Sequence, residues 1–384
     1  CPCWTRRPMI PTLPASSTTS AMDWQPPLNP EVIPSPALLV DPQRVGHNIA
    51  KMLDTVGAGA LGRLRPHVKT HKMTEVVRLQ IEAGIGKFKA ATTAELEMAA
   101  GAGARDLLMA YQPVGPNIAK LAELIDRYPD CSFAAVTDDQ HAASDIADQL
   151  GDTTKPFRLY LDIDCGMHRT GSALGRRTDA LRDWVDSKAG VEFAGLHVYD
   201  GHLHDPSLEN RIREVRRIKS TLDDHLRANP APTVIVSGSP TFGIWAAESD
   251  WECSPGTTLF WDAGYARSFP DLDFEIAACL LARVISKPGG DRVCVDLGHK
   301  AVAAENPLDR RVYLQGHADA KPVGQSEEHL VLESPRASEL KIGDALLAFP
   351  QHICPSVALH ARAHLVTDGR ATGETWSVAA RDRT

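Results

Sequence analysis

The sequence predicts an α/β fold joined to a β fold: a (β/α)8 TIM-type barrel followed by a C-terminal, mostly antiparallel β domain. Three observations predict it. Strand-like and helix-like runs alternate at short intervals from residue 36 to residue 236, the pattern of parallel strands with helical crossovers. Roughly eight such units close a ring, and one ring takes about 250 residues. Near Glu252 the alternation gives way to strand-like runs with almost no helical period, as expected of a separate, largely antiparallel sheet.

In chain order, residues 1–33 are set aside as an N-terminal tail. They are rich in Pro, Ser and Thr, carry Arg6 and Arg7, and hold no acid before Asp23, a composition shared by transit-peptide remnants and by processing or cloning remnants. Residues 34–256 are assigned to the barrel. Residues 36–41 read as a strand, and 42–56 as a helix through Val45, Ile49, Met52 and Leu53. Strands follow at 63–69, 87–91, 107–110, 131–136, 156–164, 192–199 and 233–236. Helices are read between them at 73–83, 94–102, 117–128, 140–150, 178–187 and 208–228. Residues 257–384 form the β domain, with strand-like runs at 274–284, 292–297, 311–314, 328–332, 344–348 and 365–366.

Composition excludes several function classes. Of 384 residues, 43% are hydrophobic and 23% charged, as in ordinary globular enzymes. A net charge of −8 argues against a nucleic-acid footprint. No apolar run reaches the roughly 20 residues that span a bilayer. Eight cysteines without a CxxC pair argue against a disulfide scaffold or zinc knuckle. A soluble, reducing, intracellular setting is expected: cytoplasmic, or organellar if the tail is a transit remnant.

The densest chemistry lies in Arg65-Pro66-His67-Val68-Lys69-Thr70-His71-Lys72. Neighbouring cations and partial burial at a strand end lower an amine's pKa, as a lysine holding an aldehyde cofactor requires. A solvated basic turn is the plain alternative. In a barrel, chemistry sits at the carboxyl ends of the strands. There lie Asp164, His168 and Arg169; His197, Tyr199, His202 and His204; and Ser237, Gly238, Ser239 and Thr241. The last group offers hydroxyls and amides to a phosphate, and Ser254-Pro255-Gly256-Thr257 could close the same cup. If His352-Ile353-Cys354 is a strand, its first and third side chains share a face and could grip one metal ion.

Four motifs in order carry a resemblance: the Arg65 to Lys72 run, Asp164-Cys165-Gly166-Met167-His168-Arg169-Thr170-Gly171, Gly238-Ser239-Pro240-Thr241, and His352-Ile353-Cys354-Pro355. Together they resemble the D-threonine aldolase and D-serine dehydratase family, with its alanine-racemase-type fold, over nearly all of residues 36–381. The resemblance implies pyridoxal 5'-phosphate and a divalent metal (Mn, Mg or Zn). It makes Lys69 the Schiff-base lysine, with Lys72 the competitor, and counts His67 among the cofactor's contacts. Arg169 would approach the cofactor's phenolic oxygen or the substrate carboxylate, and Tyr199 the pyridine nitrogen. Ser237, Gly238, Ser239, Thr241, Gly256 and Thr257 would hold the phosphate, and His352 and Cys354 the metal. His202 or His204 would take the β-hydroxyl proton.

The expected activity is D-threonine aldolase, cleaving D-β-hydroxy-α-amino acids to glycine and an aldehyde. The runner-up is D-serine or D-threo-3-hydroxyaspartate dehydratase, and a non-catalytic cofactor carrier is the contrasting class. The fold also implies a head-to-tail homodimer, with His299, Lys300 and Ser326 to His329 at the covering rim.

Overall fold

The computed structural model describes residues 24, 27, 29–152 and 154–383. Most of the predicted tail, with Cys1, Cys3, Arg6 and Arg7, lies outside the described residues. Trp24 does not behave as tail: its indole is 2% exposed, and Nε1 donates to the Ile276 carbonyl at 2.5 Å.

Sixteen strands are described: β1 (Ala37–Val40), β2 (Lys87–Ala90), β3 (Asp106–Met109), β4 (Ser132–Thr137), β5 (Phe157–Ile163), β6 (Val191–Val198), β7 (Val234–Val236), β8 (Glu252–Cys253), β9 (Ala278–Gly289), β10 (Arg292–Val295), β11 (Val312–Leu314), β12 (Lys321–Gln325), β13 (Leu330–Glu333), β14 (Ala345–Pro350), β15 (Arg362–Thr367) and β16 (Arg370–Ser377). Strands β2 to β8 form one parallel sheet in sequential order. The eighth ring position, predicted as a full strand over 63–69, is filled by an irregular segment. It makes single bridges, Leu64 to Cys253 and His67 to Lys89. Its amides still close the ring: Arg65 N–H donates to the Cys253 carbonyl (2.9 Å), His67 N–H to Pro255 (2.8 Å) and Val68 N–H to Lys89 (2.9 Å).

Period-two alternation stacks the ring interior in layers. At the amino ends of the strands lies an ion cluster. Arg65, 1% exposed, binds Glu252 through Nε at 2.7 Å and Asp106 through Nη1 at 2.8 Å. Arg158 meets the same Asp106 at 2.7 Å, and Lys87 pairs with Glu252. Above it sits a small apolar layer, Leu108, Ala134, Val136, Tyr160, Ala194 and Ile235. Two residues beyond Lys87 and four beyond Arg158, Lys89 and Asp162 reach the carboxyl-end layer with His197.

The crossover helices bury one stripe each. Pro42–Val56 buries Val45, Ile49, Met52 and Val56 at helical spacing, and the Asp41 carboxylate caps it by accepting from Gln43 and Arg44 N–H, a cap of about 1 kcal/mol. Asn48, buried on the same face, accepts from Glu275 N–H at 2.9 Å and donates to its carbonyl at 2.7 Å.

The second sheet has nine strands, ordered β12-β13-β10-β9-β1-β15-β16 with β14 also on β9 and β11 on β14. Only the β1 to β15 pairing is parallel. Strand β1, first in sequence and read with the ring, thus sits inside this sheet between β9 and β15. Strands β12 and β16 escaped prediction because they are polar and largely exposed. Helices Ala263–Ser268 and Ile353–Val357 interrupt the expected run of strands but are too short to show a period. Residues 274–277, read as strand, precede β9, which begins at Ala278.

Candidate active site

After the ring segment the chain turns, with Lys72 N–H donating to the Val68 carbonyl at 3.0 Å, and Lys69 stands at the ring mouth. Its N–H donates to His67 Nδ1 at 3.2 Å. Burial, then the charges of Lys69 and Lys89, push His67 well below the usual imidazole range, so it is a neutral ring with an accepting Nδ1. The structure separates the two candidate lysines. Lys72 is buried, adopts φ 55°, and pairs with buried Glu95 while donating to the Ala380 carbonyl at 3.3 Å. Lys69 Nζ instead lies 5.7 Å from the centroid of the Tyr199 ring.

Tyr199, at the end of β6, is the floor of the site. Its ring lies against Gly201, where a Cβ would meet ring carbons at 2.4 Å, and beside Gly238, where a Cβ would stand 3.4 Å from Cε2. Arg169 Cζ lies 5.1 Å from the same centroid. The turn carrying Arg169 folds back on β5, with Ser172 N–H donating to the Asp162 carbonyl at 3.0 Å. Gly171, at φ +91°, makes this possible, since its Cβ would strike Asp164 N at 2.7 Å.

Beside Tyr199 the predicted phosphate residues do converge. Buried Asp200 accepts from Gly238 N–H at 2.8 Å and from Trp245 Nε1 at 2.7 Å, fixing the turn after β7. Burial raises the Asp200 carboxyl above its usual range. Ser239 Oγ accepts from Gly256 N–H at 3.1 Å and Thr257 N–H at 3.0 Å, so amides and hydroxyls from both predicted turns share one small volume. Gly256 packs on His67, whose Cβ would stand 3.1 Å from a Cβ added at Gly256, joining this cup to the Lys69 turn.

His352 and Cys354 also come to this mouth, although not as a strand. His352 is extended and caps the helix Ile353–Val357, within which Cys354 lies; the strand geometry expected from the sequence is therefore corrected. The side chains nevertheless meet. Although desolvation opposes charge on both, the neighbouring Cys354 holds half-exposed His352 up to about 9, and His352 holds the Cys354 thiol below its usual range. Thr70 Oγ1 lies 3.2 Å from Cys354 Sγ, Thr257 Oγ1 lies 3.5 Å from it, and His352 Nδ1 is 3.0 Å from Glu305. Among the described residues, no three His, Cys, Asp or Glu side chains form a metal-binding group.

Of the two candidate histidine bases, His202 stands over the Cys165–Met167 turn, with Nε2 3.1 Å from where a Gly166 Cβ would be, and its Nδ1 is buried without a partner. His204 is exposed. Lys300 pairs with Glu327 and Glu328 on an exposed rim. Two clefts of about 400 and 420 Å³, one lined by Pro230 and Trp251 and one by Arg44 and His47, include none of these site residues.

Three groups here were missed in the sequence. Lys89 approaches Tyr199 to 5.6 Å, and strand parity with Lys87 could have signalled its inward direction. Asp262 accepts from Tyr265 N–H and Ile353 N–H, anchoring the helix after His352; its signal was an Asp before a helix too short to read. Tyr265, half-buried near Tyr199, Cys354 and Thr257, carried none.

The chain is similar to known proteins over most of its length. A D-threonine aldolase of Arthrobacter sp is 28% identical over 331 residues, covering 83% of this chain and 85% of that protein. A D-threo-3-hydroxyaspartate dehydratase of Delftia sp. (strain HT23) is 27% identical over 379 residues, covering 89% and 96%. The crystal structure of D-threonine aldolase from Filomicrobium marinum superposes with a TM-score of 0.83 at 26% identity, covering 92% of this chain and 96% of that one. A family model described as "Putative serine dehydratase domain" matches residues 277–366. The model described as "Alanine racemase, N-terminal domain" matches residues 40–263, more than half of the chain, and the chain belongs to that family, whose fold implies pyridoxal phosphate.

Proposed function

We propose that the protein is a pyridoxal-phosphate- and divalent-metal-dependent D-threonine aldolase, which cleaves D-threonine or D-allo-threonine to glycine and acetaldehyde. The observation that carries it is the convergence of Lys69 and Arg169 on Tyr199 at the mouth where His202 and the His352–Cys354 pair also stand. The residues fit the cofactor: a free amine, a flat aromatic bed, a guanidinium, and a cup in which a single serine oxygen gathers two backbone N–H groups. When bound, the cofactor supplies an electron sink for the carbanion left at Cα.

The chain's own residues supply the rest. Lys69 would hold the cofactor's aldehyde carbon, and Arg169 would bind a planar anionic oxygen pair, for which its fork is shaped. Ser237, Ser239, Thr241 and the amides of Gly256 and Thr257 take the phosphate. The Tyr199 phenol would lie near the cofactor's pyridine nitrogen, where it would leave the ring a weaker electron sink than an acid would. His202, whose buried Nδ1 has no partner, is the better-placed base for the β-hydroxyl proton; exposed His204 is the second candidate. His352 and Cys354 would hold the divalent ion, a Lewis acid for an oxygen ligand, and the sulfur favours zinc over manganese or magnesium. A head-to-tail homodimer covering the mouth belongs to the same proposal, with the Lys300 rim as its edge.

A second activity is favoured by one residue. Cys354 gives the pair a sulfur donor, as the resemblance to the dehydratases has it, and there Lys69 would instead remove the α-proton. Incubation with D-threonine, cofactor and metal separates them. Glycine and acetaldehyde support the aldolase, 2-oxobutyrate and ammonia the dehydratase, and absence of any product contradicts both.

A further inference from the structure

A second amine lies beside the Tyr199 ring, and the chemistry above does not use it. Lys89, on the inward face of β2, is 2% exposed, with Nζ 5.6 Å from the Tyr199 centroid and 3.4 Å from His197 Nε2. His197 Nδ1 lies 2.7 Å from the Asp162 carboxylate. An ionised carboxylate only accepts, which puts the His197 proton on Nδ1 and leaves Nε2 a lone pair. Lys89 therefore donates to His197, and His197 to Asp162. The backbone carbonyl of the same Asp162 accepts from Ser172 N–H at 3.0 Å, so the residue that holds His197 also anchors the turn that carries Arg169.

We propose that Lys89 is a positioning residue for the cofactor: held by His197 and Asp162 beside Tyr199, it supplies positive charge at the bed on which the anionic cofactor rests. This rests on the assignment of Lys69 as the cofactor's lysine. Every charged neighbour can be named. Lys69, His67 and Arg65 face it from the ring segment, Asp162 from β5, His197 from β6, Tyr199 and Asp200 from the loop after it, and Arg169, which shares the Tyr199 ring and acts on His197, from the turn after β5. Burial first, then the charge of Lys69, brings Lys89 down to about 7, against the pull of Asp162 and Asp200. Its cation is thus present below neutrality and lost above it, a dependence that a merely structural lysine would not impose on cofactor binding.

The test compares cofactor dissociation constants, by absorbance titration with pyridoxal phosphate, for the unsubstituted protein, Lys89→Met and Lys89→Arg at several pH values. Removing one cation near a bound anion weakens binding by about tenfold. The Lys89→Met to unsubstituted ratio is expected to be about tenfold near pH 6 and to approach one near pH 8.5, while Lys89→Arg keeps the low-pH affinity throughout. Lys89→Gln, which still donates to His197 but carries no charge, makes the same comparison if Lys89→Met does not fold. A ratio independent of pH, with the Lys69 adduct intact, overturns this proposal alone. Absence of any lysine-linked cofactor in the unsubstituted protein overturns it together with the assignment of Lys69.

Discussion

The Lys72 ammonium is buried against the Glu95 carboxylate, with side-chain exposures of 8% and 1%, and this pairing leaves Lys69 as the amine of the motif that faces Tyr199. Lys72→Ala strands Glu95 as an uncompensated buried charge, so it should cost about 3–5 kcal/mol in chemical denaturation while the cofactor's lysine-linked absorbance survives. Lys69→Ala should reverse the pattern, losing the absorbance with less than about 1 kcal/mol of stability.

The ion cluster at the far end of the ring sets the acid limb of stability. Although burial opposes it, the Arg65 and Arg158 guanidinium groups hold Asp106 from 3.8 down to about 2. A carboxyl depressed in the folded state adds stability that is complete above pH 3.8 and lost as pH falls through about 2. The shift corresponds to about 2 kcal/mol. Asp106→Asn should be less stable at neutral pH and should lose that much less between pH 4 and pH 2, read as the pH dependence of the urea midpoint.

Gly201 and Gly238 flank the same ring with different clearance. An added Cβ at Gly201 meets Tyr199 at 2.4 Å, whereas at Gly238 it meets Cε2 at 3.4 Å. Gly201→Ala should displace the ring, cost about 1–3 kcal/mol, and weaken cofactor binding. Gly238→Ala should leave the Tyr199 packing intact; equal losses in both variants would contradict Tyr199 as the bed.

Asp200 satisfies two buried donors, Gly238 N–H and Trp245 Nε1–H. Asp200→Ala leaves Trp245 Nε1–H without an acceptor, about 1–3 kcal/mol, and Gly238 N–H with only the longer contact to Thr241 Oγ1 at 3.4 Å, and should loosen the phosphate cup. Equilibrium dialysis should show pyridoxal phosphate bound about tenfold more weakly, with Asp200→Asn, which keeps one acceptor, falling between.

Chelation should separate the two halves of the chemistry. Removing divalent ions with EDTA should abolish turnover of D-threonine and leave the lysine-linked absorbance in place. Restoring zinc or manganese should restore turnover in the unsubstituted protein but not in Cys354→Ala.

Much of the ring was legible because its signals are local. Helices Pro42–Val56 and Gln140–Leu150 carry apolar residues at helical spacing, and the inner strands are short apolar runs. The ring segment at 63–69 was read as a strand from its composition, yet Pro66 cannot donate and only single bridges form there. Strand β1 was misplaced because pairing partners more than 200 residues away leave no local trace. The site motifs were legible as strand-end clusters, but the His352–Cys354 contact arises from a turn into a helix rather than from strand parity. Lys89 was missed for a different reason: a charged residue in a short strand reads as a wet face unless its parity with Lys87 is followed into the closed ring.

The most direct measurement is borohydride reduction of the pyridoxal-phosphate-loaded protein followed by peptide mass mapping. The account predicts a single phosphopyridoxyl adduct on Lys69. An adduct on Lys72 or Lys89 with Lys69 unmodified, or no adduct at all, would contradict it.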